Sequence, residues 1–367
     1  MTTRARVAVS RLGEPELRLE EVMLSDPGPD QVVVKEFFSG ICHSQLHELH
    51  GTGGGRHDNL VFGHEATGVV VAVGSNVSHV KEGDHVWVTF INRNPSYRGV
   101  PAPRWSVALP DGEVAWSYDV FTWADHTIAD ARFIVPMPQE SRKDVTAIIC
   151  CAVPTGVGAV INTARVRPGS SVAVFGVGGV GLSAVAGARL AGARPIIAVD
   201  LKAEKLDFAK KLGATIGINA NEVDAVAAIR DLTRQDDAYD INGQPIAGVD
   251  YAFDCIGVDA TMRQILPAAR PGVLGIETGG TAVLVGIPTG PIELDTNDMM
   301  MNEKKYIGVM AGSALPERDF PVLLSWYEQG LLDLDAMVTR RFKLDEINDA
   351  VRALERGEIL GRAIIEM

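Results

Sequence analysis

Short hydrophobic runs separated by turn residues fill the first 150 positions of the chain. Within these runs β-branched residues are frequent, and Gly, Pro and Asp stand between them, which is typical of strands. The predicted strands are Arg6–Ser10, Leu17–Leu24, Gln31–Phe38, Ala66–Val73 and His85–Phe90. Several short strands at such spacing predict a compact, barrel-like β fold.

From Ser171 onward, short apolar strands alternate with helical patterns. The strands are Val172–Phe175, Pro195–Val199, Tyr251–Phe253 and Ala282–Val285, and the helices include Lys202–Leu212 and Val223–Leu232. This alternation predicts a doubly wound parallel sheet, so the fold class is α/β. An amphipathic helix, Glu346–Arg356, and a strand, Ala363–Ile365, are predicted near the end. Asn92–Asp111 and Thr233–Gly248 are predicted to be a long loop and a polar excursion.

Composition narrows the function. The 367 residues are 46% hydrophobic and 22% charged, with a net charge of −13. Nucleic acid and anionic membranes need clustered Lys and Arg, so neither is expected as a partner. Four cysteines without an apparent signal peptide favour a cytoplasmic protein whose thiols are free or bind a metal.

A glycine-rich motif follows the predicted strand Val172–Phe175. Gly176 permits a tight turn, Gly178 lets the backbone approach a pyrophosphate, and Gly181 allows a helix, predicted as Leu182–Ala191, to pack on the strand. Asp200 ends the next strand, where a carboxylate can accept both ribose hydroxyls and repel a 2′-phosphate. The motif therefore favours NAD over NADP.

Cys42, His64 and Cys151 are candidate metal ligands. Two thiolates and an imidazole favour zinc, and three protein ligands leave a position open for catalysis. A single cysteine or histidine is more often part of a packed core, and Cys150 and Cys255 keep that interpretation. The prediction of a metal site at the triad therefore depends on the presence of the dinucleotide motif in the same chain.

Together these motifs resemble the zinc-dependent alcohol dehydrogenases of the medium-chain dehydrogenase/reductase superfamily. The resemblance is carried by Gly63 to Val77, with His64-Glu65, Gly68 and Gly74, by Gly40 to Ser44, and by Cys151 with Thr155-Gly156. It implies a GroES-like β-barrel catalytic domain, residues 1–153 and 310–367, with a Rossmann domain, residues 154–309, inserted and the active site in the cleft between them.

The resemblance also implies roles for single residues. Ser44 and His47 would form a proton relay, and Glu65 would approach the metal during ligand exchange. Phe90 would line the substrate pocket, and Trp116 and Tyr118, from a segment that departs from the family pattern, are further pocket candidates. The implied cofactor contacts are His43, Thr155, Gly176, Gly178, Gly179, Val180, Gly181, Asp200, Lys205, Cys255, Ile256, Gly286 and Arg362.

Two departures from the family pattern stand out. No cysteine occurs between Val86 and Ile149, so the structural zinc of many relatives is expected to be absent. The segment that replaces the zinc-binding lobe is rich in aromatic residues. Such segments more often serve packing, and the alternative is that part of this one forms a wall of a pocket for a bulky or aromatic alcohol. Gln45 stands where relatives have aspartate, which predicts a more electrophilic, less tightly held zinc.

The leading hypothesis is therefore oxidation of a primary or secondary alcohol to an aldehyde or ketone, with hydride transfer to NAD and one catalytic zinc per subunit. The alternatives are a zinc-free quinone or enoyl reductase of the same superfamily and a cofactor-binding protein without turnover. A homodimer is expected, with a tetramer as the other option.

Overall fold

The computed structural model describes residues 2–51, 58–101, 105–117 and 119–367. The predicted pocket residue Tyr118 lies outside these ranges. Contacts divide the chain into two compact units, Met1–Cys151 with Leu315–Met367 (unit 1) and Ala152–Ala314 (unit 2). These units are defined by contacts, whereas a domain is defined by its capacity to fold alone. The domain limits expected at residues 153 and 309 therefore stay a prediction.

Unit 1 begins with a β-rich stretch that contains one short helix, α1 (Ser44–Leu49), among its described residues. The strands are β1 (Thr3–Ser10), β2 (Leu17–Leu24), β3 (Gln31–Gly40), β4 (Asn59–Val61), β5 (Glu65–Val73), β6 (His85–Thr89), β7 (Trp105–Ala108), β8 (Val114–Ser117), β9 (His126–Asp130) and β10 (Ile134–Pro136). Single 3₁₀ segments lie at Pro95–Tyr97, Ala131–Phe133 and Val145–Cys150.

Unit 2 alternates strands with helices. Its helices are α2 (Ala152–Gly158), α3 (Gly179–Leu190), α4 (Ala203–Leu212), α5 (Ala225–Leu232), α6 (Asp259–Ala268) and α7 (Thr296–Met301), with a π-helical turn at Ala159–Ala164. Its strands are β11 (Val172–Phe175), β12 (Ile196–Asp200), β13 (Ile216–Asn219), β14 (Gln235–Tyr239), β15 (Pro245–Ile246), β16 (Tyr251–Asp254), β17 (Thr281–Leu284) and β18 (Lys305–Gly308). A 3₁₀ turn, Ala311–Ser313, follows β18.

The chain then returns to unit 1. This part contains α8 (Pro316–Glu328), α9 (Leu334–Met337), β19 (Val338–Lys343), the 3₁₀ turn Leu344–Glu346, α10 (Ile347–Glu355) and β20 (Arg362–Glu366). Strand β20 pairs antiparallel with β3, placing Ile364 opposite Gly40. The last strand therefore joins the sheet that carries the first predicted metal ligand.

Two sheets build unit 1. One runs in the order β2-β1-β4-β8-β7, and the other in the order β10-β6-β5-β3-β20-β19, with β9 also paired to β3. Valines of β3, β5 and β6 form one buried cluster with Phe133 and Ile134. Alternation along β3 is what sends one set of its side chains into this core.

The sheet of unit 2 is parallel and has the strand order β13-β12-β11-β16-β17-β18. This is the classic doubly wound order, which brings the carboxyl ends of neighbouring strands to one edge. Gly176, Asp200 and Cys255 stand at or just after the ends of β11, β12 and β16. The predicted doubly wound sheet is therefore present.

Three predicted segments differ from the structure. The expected loop Asn92–Asp111 contains β7, which pairs antiparallel with β8; flanking prolines hid this short strand from the pattern. Thr233–Gly248 contains the hairpin β14–β15. Helix α3 begins at Gly179 rather than Leu182, because the glycine motif itself forms its first turn.

No helix in the described part of the chain combines the length and the apolar character that a membrane crossing requires.

Glu36 on β3 is a buried acid whose two carboxylate oxygens hydrogen-bond to none of the described residues. Its side chain is 2% exposed. Burial, reinforced by Asp125, raises the pKa of Glu36 well above its usual 4.5. The folded state thus keeps this carboxyl neutral at pH values where the unfolded chain has released the proton.

We expect Glu36→Gln to remove a pH dependence of stability. As the pH rises above 4.5, the wild-type free energy of unfolding should fall by up to about 1.4 kcal/mol per pH unit until the folded pKa is reached. Thermal midpoints between pH 5 and pH 8 should fall less in the variant than in the wild type. Glu82→Gln, in an exposed turn, is the control; equal slopes in all three proteins would contradict the expectation.

Candidate metal centre and nucleotide site

Four side chains that can bind a metal converge inside unit 1. The ligand atoms of Cys42, His64, Glu65 and Cys151 all lie within 4.8 Å of one another. His64 Nε2 is 3.3 Å from Cys151 Sγ, and the Cys42 and Cys151 sulfurs are 3.8 Å apart. The three residues predicted as ligands are thus brought together, with the carboxylate of Glu65 beside them.

Local backbone geometry delivers each of these side chains. Cys42 lies between β3 and α1, and His64 directly precedes β5. Before His64, Gly63 has φ +98°, and a Cβ there would lie 2.4 Å from Trp123 N. Only glycine fits this close approach without strain. Cys151 follows a 3₁₀ segment whose last carbonyl, that of Cys150, accepts a 2.7 Å hydrogen bond from Thr89 Oγ1.

Glu65 is paired with Arg362 from β20. Both side chains are buried, and the Arg362 guanidinium donates a hydrogen bond to Glu65 Oε1. Glu65 Oε2 and Arg362 Nε have no partner among the described residues. A Cβ at Gly40 would lie 2.4 Å from the Glu65 carboxyl carbon, so the glycine makes room for this pair. Arg362 was expected to contact the cofactor. That contact stays a prediction, and in the structure the buried guanidinium is engaged by Glu65.

Of the two cysteines in the cluster, Cys42 is the one whose thiol ionises more readily. Hydrogen bonds from the Cys151 thiol and His64 lower the pKa of Cys42 well below its usual value, despite burial. Because that thiol donates to Cys42 Sγ, the pKa of Cys151 is raised. Burial, opposed by Arg362, raises the pKa of Glu65 to about 7. A metal that binds here would displace the thiol proton between the two sulfurs, because cysteine binds a metal as the thiolate.

The donor set fits zinc. Two cysteine sulfurs and one imidazole nitrogen are the soft and borderline ligands that this ion prefers, and they leave a further coordination position. Glu65 brings one carboxylate oxygen to the same point, and its buried Oε2 has no hydrogen-bond partner among the described residues. Buried polar atoms without partners are costly, so a cation here would satisfy atoms that the protein alone leaves unpaired.

The predicted relay residues lie on or next to α1. Ser44 Oγ donates to Cys42 Sγ at 3.1 Å, and the rings of His43 and His47 meet edge to face with centroids 5.7 Å apart. Gln45 is 2% exposed, and its Oε1 accepts a hydrogen bond from no described residue. The amide that replaces the family's aspartate thus brings no charge to the cluster, and its Oε1 is left without a partner among the described residues.

Two predicted pocket residues have contrasting surroundings. The Phe90 ring contacts the His64 ring edge to face, with centroids 5.0 Å apart. Trp116 on β8 is partly buried and packs against the core cluster that includes Ile41 and Leu60. Phe90 is therefore the aromatic ring that directly borders the candidate metal centre.

In unit 2 the glycine motif forms a tight turn between β11 and α3. Gly176 has φ +82°, and a Cβ there would lie 2.2 Å from Ile256 Cγ1. A Cβ at Gly181 would lie 1.8 Å from the Gly176 carbonyl oxygen, so helix and strand touch at backbone distance. By contrast, a Cβ at Gly178 would meet nothing within 4 Å. That open side is where a pyrophosphate can approach the amino end of α3.

Asp200 organises the neighbouring turn. Its Oδ2 accepts a 3.0 Å hydrogen bond from Val177 N, and its Oδ1 accepts from Leu201 N at 2.8 Å and Lys202 N at 3.2 Å. Each oxygen has further lone-pair capacity. The carboxylate is thus fixed in orientation and can still accept ribose hydroxyls.

The other predicted cofactor contacts are distributed around this turn. Thr155 is buried in α2, while Gly179 and Val180 form the first turn of α3 and Lys205 lies in α4. Cys255, Ile256 and Gly286 follow strands β16 and β17, and a Cβ at Gly286 would lie 2.3 Å from the Ile256 carbonyl carbon. Their roles in cofactor binding stay predictions.

Sequence reasoning missed two acids near the metal cluster, Glu48 and Asp119. The charge of His64 acts on both, and both are partly buried. One signal was available: Glu48 follows Ser44 by four residues, a spacing that shares a helix face. For Asp119 the sequence offered no comparable signal, because its approach depends on how the segment after β8 packs.

Comparisons with known proteins identify the family of the chain. Residues 28–139 match the family model of the alcohol dehydrogenase GroES-like domain, and residues 179–329 match that of zinc-binding dehydrogenase. The chain is 32% identical to an alcohol dehydrogenase class-3 of Cereibacter sphaeroides, each protein being covered completely. The chain belongs to the zinc-dependent alcohol dehydrogenase family of the medium-chain dehydrogenase/reductase superfamily.

Two further proteins are similar to this chain over nearly its whole length. An S-(hydroxymethyl)glutathione dehydrogenase of Escherichia coli is 32% identical, with 99% of this chain and 100% of the relative covered. The crystal structure of benzyl alcohol dehydrogenase from Acinetobacter calcoaceticus matches with a TM-score of 0.84 at 28% identity, covering 100% of this chain and 99% of that one. The GroES-like and Rossmann folds expected from the sequence are therefore confirmed, and the protein is an oxidoreductase.

Replacing one predicted ligand should abolish metal retention, whereas replacing its neighbour should not. We expect Cys151→Ser to lower zinc content from about one ion per chain by about tenfold or more. Cys150→Ser is the matched control, because the Cys150 thiol donates to the Ala66 carbonyl rather than joining the cluster. Elemental analysis after dialysis measures both. Equal zinc contents would show that Cys151 is not a ligand.

Proposed function

We propose that the protein oxidises primary or secondary alcohols, including bulky or aromatic ones, to aldehydes or ketones with NAD as hydride acceptor. The observation that carries the proposal is the cluster of Cys42, His64 and Cys151, whose ligand atoms lie within 4.8 Å of one another. In this proposal these three side chains hold one catalytic zinc.

The mechanism assigns simple tasks to the chain's own side chains. Bound zinc would supply Lewis acidity, which lowers the pKa of an alcohol hydroxyl, and bound NAD would accept the hydride. Ser44, whose hydroxyl already lies 3.1 Å from Cys42 Sγ, accepts the proton that the alcohol releases. His47, on the same short helix, is the group from which that proton leaves. Phe90, whose ring meets that of His64 edge to face, would help to keep water away from the centre.

The choice of NAD rests on Asp200. Its carboxylate is held by three backbone amides at the end of β12, and in that position it repels a 2′-phosphate. The preference for a bulky or aromatic alcohol rests on Phe90 and on the structural similarity to a benzyl alcohol dehydrogenase. Neutral alcohols of that shape are the first substrates to test.

We also propose that the catalytic zinc is the only metal of each subunit. The segment that replaces the structural-zinc lobe has another anchor in Arg132, whose buried side chain donates to the Val100 and Pro101 carbonyls at 3.0 and 3.1 Å. The guanidinium also lies 5.0 Å from the centroid of the Tyr97 ring. Side-chain contacts thus perform the anchoring that a second metal performs in relatives.

A cytoplasmic homodimer completes the proposal. Strand β18 is an edge strand of the unit 2 sheet, and nearby Leu274, Ile276 and Met310 are 69%, 78% and 75% exposed. An unprotected edge beside exposed aliphatic residues suits pairing with a second copy. All four cysteines are free, which suits a reducing compartment. A monomer in sedimentation experiments would contradict the dimer.

The function is tested by following NADH absorbance with benzyl alcohol and a series of aliphatic alcohols. We expect turnover with NAD, at least about tenfold higher kcat/KM than with NADP, and loss of turnover after treatment with a zinc chelator. Added zinc should restore activity. Zinc-loaded protein that binds NAD without turning over any alcohol would favour the cofactor-binding alternative, and turnover that survives complete zinc removal would favour the reductase alternative.

Gly178→Ala should separate cofactor binding from folding. The new methyl group meets no protein atom within 4 Å, so we expect an unchanged thermal midpoint, whereas the Kd for NAD should rise about tenfold because the methyl blocks the pyrophosphate. Gly176→Ala is the contrasting variant, since its φ of +82° and the 2.2 Å approach to Ile256 should destabilise unit 2 itself. NAD titration and thermal melting check both; unchanged NAD affinity in Gly178→Ala would place the pyrophosphate elsewhere.

A further inference from the structure

A fully buried acid, Asp254, ends β16 next to the glycine motif, and the proposed mechanism assigns it no task. In the parallel sheet Asp254 pairs with Phe175, the residue directly before Gly176. The amide that follows it, Cys255 N, donates to the Phe175 carbonyl at 2.9 Å. Asp254 therefore stands beside the point at which the glycine turn begins.

The Asp254 carboxylate holds the turn that follows it. Its Oδ1 accepts hydrogen bonds from Ile256 N at 2.9 Å and Gly257 N at 3.1 Å, and its Oδ2 accepts from Gly257 N at 3.2 Å. Burial raises the pKa of Asp254, and the hydrogen bonds from these two amides oppose that rise. A buried carboxylate is costly unless donors surround it, so the acid and the two amides depend on each other.

The backbone of Asp254 extends this arrangement to the neighbouring strand. Its carbonyl accepts hydrogen bonds from Val285 N and Gly286 N, both at 2.9 Å. A Cβ at Gly286 would lie 2.4 Å from Gly257 N, so the segment after β17 packs directly on the turn. Turn 255–257 is therefore held from two strands of the sheet.

Ile256 connects this turn to the glycine motif. A Cβ at Gly176 would lie 2.2 Å from Ile256 Cγ1 and 2.7 Å from its Cδ1, so the isoleucine side chain packs directly on the Gly176 backbone. On the other side of the motif, Asp200 Oδ2 accepts a 3.0 Å hydrogen bond from Val177 N. The glycine turn is thus braced by a hydrogen bond on the β12 side and by a packed side chain on the β16 side.

We propose that Asp254 is a positioning residue for the dinucleotide. By fixing the backbone of turn 255–257, it holds the Ile256 side chain against Gly176 and keeps the glycine turn in the conformation that receives the pyrophosphate. This inference rests on the proposed binding of NAD. Ile256 is 41% exposed, so its place depends on its own backbone more than on surrounding core side chains. Loss of the carboxylate should therefore loosen the glycine turn while the sheet stays assembled.

Two acids at opposite ends of β16 provide the test. We expect Asp254→Asn, in which a donor replaces one acceptor oxygen, to raise the Kd for NAD about tenfold. Asp250→Asn is the matched control, because Asp250 directly precedes the strand and accepts from Arg270 Nε at 2.7 Å and Ser171 N at 2.8 Å. This control should lower the thermal midpoint and leave the Kd unchanged. Calorimetric titration with NAD measures the affinities; an unchanged Kd in Asp254→Asn, or an equal rise in both variants, would overturn the positioning role.

Amide hydrogen exchange tests the same contact in the absence of NAD. Asp254→Asn should raise the exchange rate of a peptide covering residues 176–181 about threefold or more, and Asp250→Asn should not. Ile256→Ala should give the same increase, since it removes the side chain that packs on Gly176, whereas Ile256→Val keeps a γ carbon there and should restore wild-type exchange. Because Ile256 is partly exposed, this pair decides the question even if Asp254→Asn does not fold. Wild-type exchange in Ile256→Ala would overturn the inference.

A double variant tests whether the acid acts through the isoleucine. Asp254→Asn combined with Ile256→Ala should raise the Kd for NAD no further than Ile256→Ala alone, and multiplied effects would overturn the proposed route. Failure of the proposed function looks different. A wild-type protein that binds no NAD would overturn the proposed function, and the exchange rates of residues 176–181 would still support or overturn the role of Asp254 in fixing the glycine turn.

Discussion

The meeting of two sulfurs and one imidazole inside unit 1 is the constraint around which much of this unit is arranged. These groups come from positions 42, 64 and 151, so their convergence depends on contacts between segments far apart in sequence. Glycines at 40 and 63 provide the space, and a buried acid–arginine pair links β5 to β20, the two strands that flank β3 in the sheet. A buried polar group without partners is costly, so a cluster of this kind persists only where the fold holds it in place.

The pair of Glu65 and Arg362 also explains why the catalytic unit is discontinuous in sequence. Arg362 is supplied by a strand near the carboxyl end, while Glu65 begins a strand near the amino end. Removing either charge would leave the other buried and unpaired, which is more destabilising than replacing both. The return of the chain from unit 2 to unit 1 is thus needed at the very point where the chemistry is proposed.

Much of this architecture could be predicted from the sequence, for physical reasons. The alternation of strands and helices after Ser171 identifies the doubly wound sheet, because each apolar run is too short for a helix and is followed by an amphipathic stretch. The glycine motif could be predicted because its spacing is tied to a tight turn after a strand, whereas the triad could be predicted only in combination with that motif, since its members come from distant segments. Strand β7 could not, since its four residues lie among prolines and are stabilised by pairing rather than by propensity. The approach of Asp119 to His64 depends on tertiary packing, which no local pattern encodes.

Arg132 has a consequence for how the protein depends on metal supply. An arginine is part of the chain and is always present, whereas a bound ion must be obtained from the surroundings and can be lost. The hydrogen bonds of Arg132 to the Val100 and Pro101 carbonyls therefore need no supply from outside the chain. Under the proposal of a single zinc per subunit, a shortage of metal would be felt at the reaction centre and not in this segment.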